Sequence, residues 1–213
     1  APSEAAASFL LAWNSAIDQA RSGKLQRLYA DEVLYYGTRQ TADRVLSHKR
    51  EALARASARG QRVSDVHIAK GMSGFVVTFT KHYGASLSKS VRARLVLEET
   101  PHGLRIAEET DAATDARLAR PPASTCVEAL LDAVAEHPYV RADVQRVQQA
   151  GHDVQPGVVV YEEEPGLVYA AWGYMHPERF ESRLWIRLED GEFTVTDALT
   201  TERLTFFGKA LER

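Results

Sequence analysis

Apolar positions in the first part of the chain recur at helical spacing. Phe9, Trp13 and Ile17 follow one another at four-residue steps with Leu10 beside them, which predicts one amphipathic helix. Ser3 is placed to cap it, with Glu4 in its electropositive first turn, and Ser22-Gly23 to stop it. Leu25, Leu28 and Tyr29 predict a short second helix ending near Ala30-Asp31. Val33 to Tyr36 reads as a strand with Tyr35 and Tyr36 on opposite faces. Thr41 is a good cap for a third helix that turns Val45, Leu46, Ala52 and Leu53 inward and ends at Gly60.

The period then falls to two. Arg62–Lys70 alternates Val66 and Ile68 with Asp65 and His67. Gly74–Tyr83 puts Phe75, Val77, Phe79, Lys81 and Tyr83 on one face. Ser88–Glu99 puts Val91, Ala93, Leu95 and Leu97 on one face and Arg92 and Arg94 on the other. After the turn Pro101-His102-Gly103, strict alternation places Leu104, Ile106 and Glu108 on the apolar face. Each strand has one strongly apolar face, so an antiparallel sheet packed on the helices is the expected layer arrangement.

Thr110–Arg120 is rich in Ala, Asp and Arg, and Pro121-Pro122-Ala123-Ser124 follows. Two prolines continue neither a helix nor a central strand. They divide a first domain (residues 1–120) from a second (125–213) across a linker at 121–124. In the second, Ser124 or Thr125 caps a helix bearing Val127, Leu130, Leu131 and Val134. His137-Pro138 breaks it, and Val140, Val144 and Val147 start another helical piece that ends at Gly151. Gly157–Glu163, Leu167–Met175, Arg179–Glu189 and Glu192–Asp197 read as four antiparallel strands, with hairpin turns at Pro165-Gly166 and Asp190-Gly191. Thr200 or Thr201 caps a last helix carrying Leu204, Phe207 and Leu211. The class expected is α+β in both halves.

The order helix, helix, short strand, helix, four strands, with Phe9–Ile17, Leu28-Tyr29-Ala30-Asp31, Val76–Tyr83 and Val91–Glu108, resembles the nuclear transport factor 2-like superfamily over residues 5–112. Within it, Tyr29-Ala30-Asp31, Tyr35-Tyr36-Gly37 and Lys49-Arg50 are most similar to a bacterial subgroup of extracytoplasmic accessory domains. The resemblance implies a cone-shaped domain in which a curved sheet wraps helices around a pocket, and a periplasmic or secreted location. The alternative is a cytoplasmic one. This superfamily hosts enzymes, carriers and assembly domains, so it specifies fold rather than reaction. Its ketosteroid isomerases use a carboxylate base and a phenol. Those positions fall on or beside Gly37 and near Trp13 here, and neither side chain does that chemistry.

Composition changes this picture little. Of 213 residues, 45% are hydrophobic and 26% charged, an ordinary globular balance, and the short apolar runs give no membrane span. The lone Cys126 excludes an intrachain disulfide and a thiolate-rich zinc site. Charge is uneven: residues 1–120 carry 18 Lys and Arg against 13 Asp and Glu, and residues 121–213 carry 8 against 16. The halves therefore suit different partners or each other. The basic residues are not clustered with exposed aromatics, which argues against nucleic acid. The first residues, Ala-Pro-Ser-Glu-Ala-Ala, fit a mature end after signal removal or a cloning boundary.

Candidate chemistry gathers in the predicted cone: Trp13, Tyr35, Phe79, Lys81, Tyr83 and Glu108 as ligand-binding residues. Lys81 and Glu108, if both turned inward, should pair, because an isolated buried charge is costly. His48, His67, His82 and His102 have no metal-ligand spacing, His176-Pro177-Glu178-Arg179 lacks a third ligand, and no nucleophile or phosphate-loop motif occurs. No metal or other cofactor is expected. In the second half, Trp172, Tyr174, Arg183 and Trp185 are expected to form a partner surface, since aromatics beside arginine are typical of interface hot spots. The function these features predict is a non-enzymatic binding or accessory protein offering a pocket or sheet face to a small apolar ligand or a protein partner, with homodimerisation through a sheet face as one form. The alternative is an isomerase, cyclase or hydrolase using Glu108 as base with Tyr83 or Tyr35.

Overall fold

The structure, a computed structural model, describes residues 2–18, 22–55, 60–119, 134–151, 155–164, 167–189, 192–197 and 206–208. It is α+β throughout, and the chain divides into two compact units, Ala1–Pro121 with Pro177–Arg179, and Pro122–His176 with Phe180–Arg213. The linker expected at 121–124 lies outside the described residues.

In the first unit, helix α1 (Pro2–Asp18) begins at Pro2, so Ser3 is inside it and does not cap it. Proline at the start of a helix loses no bond, because that N–H has no intrahelical partner. Leu10, Trp13, Ala16 and Ile17 are buried along one face. Helix α2 (Ser22–Gln26) starts where Ser22-Gly23 was expected to stop a helix. Strand β1 (Tyr29–Tyr35) starts four residues before the expected Val33. Tyr29 lies on that strand and not on a helix, because the edge of β6 is open for parallel pairing there: Ile106 N–H donates to Leu28 O at 2.7 Å.

Tyr36 and Gly37 form the two-residue turn to β2 (Thr38–Thr41), with φ of 48° and 79°. Positive φ at both central residues is the turn that matches strand twist, and glycine adopts it without steric cost. Helix α3 (Ala42–Arg55) follows, with Val45 and Leu46 buried and Ala52, expected inward, exposed. Strands β3 (Gln61–Lys70), β4 (Gly74–Tyr83), β5 (Lys89–Thr100) and β6 (Gly103–Asp111) make an antiparallel meander. With the first hairpin the order is β3-β4-β5-β6-β1-β2, and β1 runs parallel to β6. The core lies between this sheet and α1, where Val63, Ile68, Val77, Phe79, Leu95, Leu97 and Ile106 are buried.

The second unit packs helix α4 (Pro138–Gln149) on an antiparallel sheet of β7 (Gln155–Glu164), β8 (Leu167–Met175), β9 (Phe180–Glu189), β10 (Glu192–Asp197) and β11 (Phe206–Gly208). Pro138 opens α4, and His137 caps it by accepting from Tyr139 N–H at 3.3 Å. The expected last helix is replaced at 206–208 by a strand pairing Phe207 with Thr194. A Phe-Phe pair suits a pleated ladder, and the edge of β10 offers unpaired backbone groups. Leu204 and Leu211 lie outside the described residues.

Candidate functional site

One residue in β6 decides what the interior of the first unit contains. Leu97 faces Ile106, and the next pair is Val96 with Glu108, so Ala107 is an extra residue opposite no partner. Such a bulge shifts by one the face to which every later side chain points. Glu109 then lies opposite Leu95 and Asp111 opposite Ala93, on the buried face. Glu108 turns to the other face and pairs with Arg94. The expected inward Glu108 is thereby corrected: the carboxylates in the core are Glu109, 2% exposed, and Asp111, 8% exposed.

Glu109 is the centre of a closed polar network. Tyr29 Oη donates to Oε2 at 2.6 Å, and Trp13 Nε1 donates to Tyr29 Oη at 3.0 Å. Lys49 Nζ makes an ion pair with Oε1, and Tyr36 Oη reaches the same oxygen at 3.4 Å. Lys49 comes from α3, and its ammonium lies 5.2 Å from the Trp13 ring centroid and 5.6 Å from that of Tyr35, within cation–π range. Burial pushes the Lys49 ammonium below its ordinary pKa, and the Glu109 charge works against that shift. Burial, then the same carboxylate, pushes Tyr29, Tyr35 and Tyr36 upward, so all three stay protonated phenols. Taking these groups out of water costs several kcal/mol per charge, and only mutual pairing with saturated hydrogen bonds offsets it.

A second, more open pair adjoins the first. Lys81 Nζ lies 3.3 Å from Asp111 Oδ2, and Asp111 Oδ1 accepts the Ala113 N–H at 3.1 Å. Lys81 also sits 5.7 Å from the Tyr83 ring centroid, and Tyr83 is 38% exposed. Lys81 therefore points inward, and its partner is Asp111 and not Glu108. Tyr35 is half-buried, edge-on to Tyr36 at 4.6 Å and tilted on His48 at 6.1 Å. The expected opposition of Tyr35 and Tyr36 fails because the positive-φ turn swings Tyr36 back toward Glu109. Trp13 and Phe79 are fully buried and pack edge to face at 5.7 Å. The structure thus brings Trp13, Tyr35, Phe79, Lys81 and Tyr83 into one region and removes Glu108.

Sequence reasoning missed Tyr29, Lys49, Glu109 and Asp111 as members. Tyr29 and Lys49 stand in the motifs that carried the family resemblance, which was the available signal. The adjacent pair Glu108-Glu109 was a weaker one: two neighbouring acids on a strand must split between faces, and alternation alone selects the wrong one.

The partner surface expected on the second unit is not assembled. Trp172, opposite Leu184, and Tyr174 are buried beneath α4 with Val140, Leu184 and Ile186, because strand alternation puts them on the helix side. Trp185, opposite Ala171, is on the other face and stacks on Tyr161 at 5.2 Å. A bulge at Arg183, between the pairs Trp172–Leu184 and Gly173–Ser182, turns that guanidinium over the Tyr174 ring at 5.9 Å. Tyr174 Oη donates to buried Asp143 at 2.7 Å, and Arg146 pairs with the same carboxylate. Burial pushes the Asp143 carboxyl up, but the bonds from Arg146 and Tyr174 outweigh it and hold the group below the usual range. Among the described residues no three His, Cys, Asp or Glu side chains are grouped to hold a metal, and no helix is long and apolar enough to cross a membrane.

No family model matches the chain, and no curated protein matches it. Solved structures similar to part of it include a DUF4783 family protein from Bacteroides ovatus ATCC 8483, at 16% identity and a TM-score of 0.38, covering 46% of this chain and 89% of that one. Another is Rd1NTF2_04 with long sheet, at 17% and 0.39, covering 48% and 95%. A third is a protein with unknown function from the DUF3225 family of Pectobacterium atrosepticum SCRI1043, at 18% and 0.38, covering 46% and 80%. Each likeness spans less than half of this chain and concerns fold alone.

Proposed function

We propose that the first unit is a non-catalytic binding module that holds a small, largely apolar ligand against Tyr35, Tyr83 and Lys81. One observation carries this: the carboxylates near those side chains are already engaged. Glu109 is bonded to Lys49 and Tyr29, Asp111 to Lys81 and the Ala113 N–H, and Glu108 to Arg94 on the opposite face. A general base needs a free lone pair aimed at its substrate. Partly exposed aromatic rings, each beside a lysine ammonium, suit recognition instead, with apolar area for affinity and few polar groups for orientation. An extracytoplasmic accessory role is part of the proposal and rests on the Tyr29-Ala30-Asp31, Tyr35-Tyr36-Gly37 and Lys49-Arg50 resemblance.

The test uses the neutral fluorescent probe N-phenyl-1-naphthylamine. Saturable enhancement at one probe per chain is expected, at least fivefold weaker in Tyr35→Ala and Tyr83→Ala. A flat titration overturns the proposal. So does purified protein that turns over a substrate and loses that activity in Glu109→Gln.

A further inference from the structure

The outward face of the first unit carries a group of donors that the interior site does not use. Strand register defines it. Arg62 faces His82, and His82 faces Ser90; one row along, Ser64 faces Thr80, and Thr80 faces Arg92. Residues directly opposite each other share a face, as do residues two apart. These six therefore form two adjacent rows across β3, β4 and β5, on the side opposite buried Val63, Phe79 and Ala93.

Arg92 is half-buried and forms no ion pair with Asp65, the acid whose charge acts on it. Its Nη1 donates to Asp65 O at 2.9 Å and to Thr80 Oγ1 at 3.3 Å, and it makes no ion pair among the described residues. Arg94, two residues on, is held by Glu108 and is close to Asp115 as well. Arg62 is exposed, and its side chain has neither a hydrogen bond nor an ion pair among the described residues. Burial lowers the Arg92 pKa against the opposing charge of Asp65, and an anion at this place would relieve that cost.

The Asp65 carboxylate takes its hydrogen bond from another side chain and not from Arg92. Asp65, at the β3 bulge with φ of 50°, has Oδ2 2.9 Å from Ser64 Oγ, and Ser64 Oγ is also 2.9 Å from His82 Nε2. An ionised carboxylate only accepts, so Ser64 gives its proton to Asp65 and His82 Nε2 must donate to Ser64. This orientation is the reverse of an activated serine, which excludes nucleophilic catalysis by the trio. It leaves the Thr80 and Ser90 hydroxyls and the remaining N–H groups of Arg62 and Arg92 available to a ligand.

We infer that this face binds a phosphate monoester group between Arg62 and Arg92, over Thr80 and His82. The guanidiniums start from strands roughly 10 Å apart, two strand spacings. One anion can engage both only if it offers several oxygens in different directions. A tetrahedral dianion does so, and each guanidinium fork matches two of its oxygens. A carboxylate, with two coplanar oxygens, satisfies one fork.

Isothermal titration at constant ionic strength, with phenyl phosphate and benzoate as probes, tests this independently of the interior site. Phenyl phosphate is expected to bind once per chain, at least tenfold tighter than benzoate. Binding should fall at least tenfold in Arg92→Gln and in Arg62→Gln and be unchanged in Arg39→Gln, a change on the distant edge strand β2. Inorganic phosphate matching phenyl phosphate would support recognition of the group itself. Absence of saturable phosphate binding, equal affinity for benzoate, or wild-type affinity in Arg62→Gln would overturn the inference. The Arg62 side chain makes no bond among the described residues, so that variant folds even where Arg92→Gln does not.

Discussion

Lys49→Met isolates the interior ion pair. Methionine keeps most of the alkyl stem and removes the charge, so Glu109, 2% exposed, is left as an anion with phenol donors alone. Removing one partner of a buried pair costs about 3–5 kcal/mol, because the remaining charge stays desolvated. Tyr29 at 2.6 Å already donates in the native protein and cannot add to its contribution; Tyr36 at 3.4 Å can only shorten. The upper half of that range is therefore the expected loss. At the size of this unit it corresponds to a fall in melting temperature of about 10–20 °C. Differential scanning calorimetry and urea unfolding are the assays, with Lys49→Met/Glu109→Gln as the second variant. Glutamine keeps a carbonyl for the Tyr29 hydroxyl without a charge, so the double variant should regain at least half of the loss. A single variant within about 1 kcal/mol of wild type, or a double variant no more stable than the single, would refute the account of Glu109 as a charge held by Lys49.

Three further outcomes are expected. Tyr29→Phe deletes the acceptor of Trp13 and the strongest phenol donor to Glu109, and should cost about 1–3 kcal/mol in urea unfolding with a change in tryptophan emission. Gly173→Ala would put a Cβ 2.0 Å from Glu181 O, next to the β9 bulge; backbone there cannot yield cheaply, and a loss of about 1–3 kcal/mol in denaturant unfolding is expected. The Asp143 carboxyl is depressed in the folded state, so its contribution is full above the unfolded carboxyl value of about 4 and is lost as pH falls through the folded value. Unfolding followed from pH 7 to pH 2 should therefore show a steeper acid loss in wild type than in Asp143→Asn, and parallel curves would remove Asp143 as the source.

Periodicity by itself determined most of the strands. Gly74–Tyr83 and Leu167–Met175 were legible to the residue, because one-sided burial imposes strict alternation. It also determined the apolar face of α1 and the piece of helix after Pro138. What periodicity does not contain is an extra residue in a ladder. Ala107 and Arg183 look ordinary in sequence, yet each reverses which following side chains face the core. That is why Glu108 was read inward in place of Glu109. Trp172 and Tyr174 were assigned to a surface because alternation defines two faces without saying which one a helix covers. That choice belonged to α4, whose valines are far away along the chain. The helix-to-strand change at Tyr29 has the same origin, since a parallel partner contributed by β6 some eighty residues later leaves no local trace. Local pattern reports the interactions of a residue with its sequence neighbours. The polar centre of this protein is made by contacts between α1, β1, α3 and β6, and only their packing decided its members.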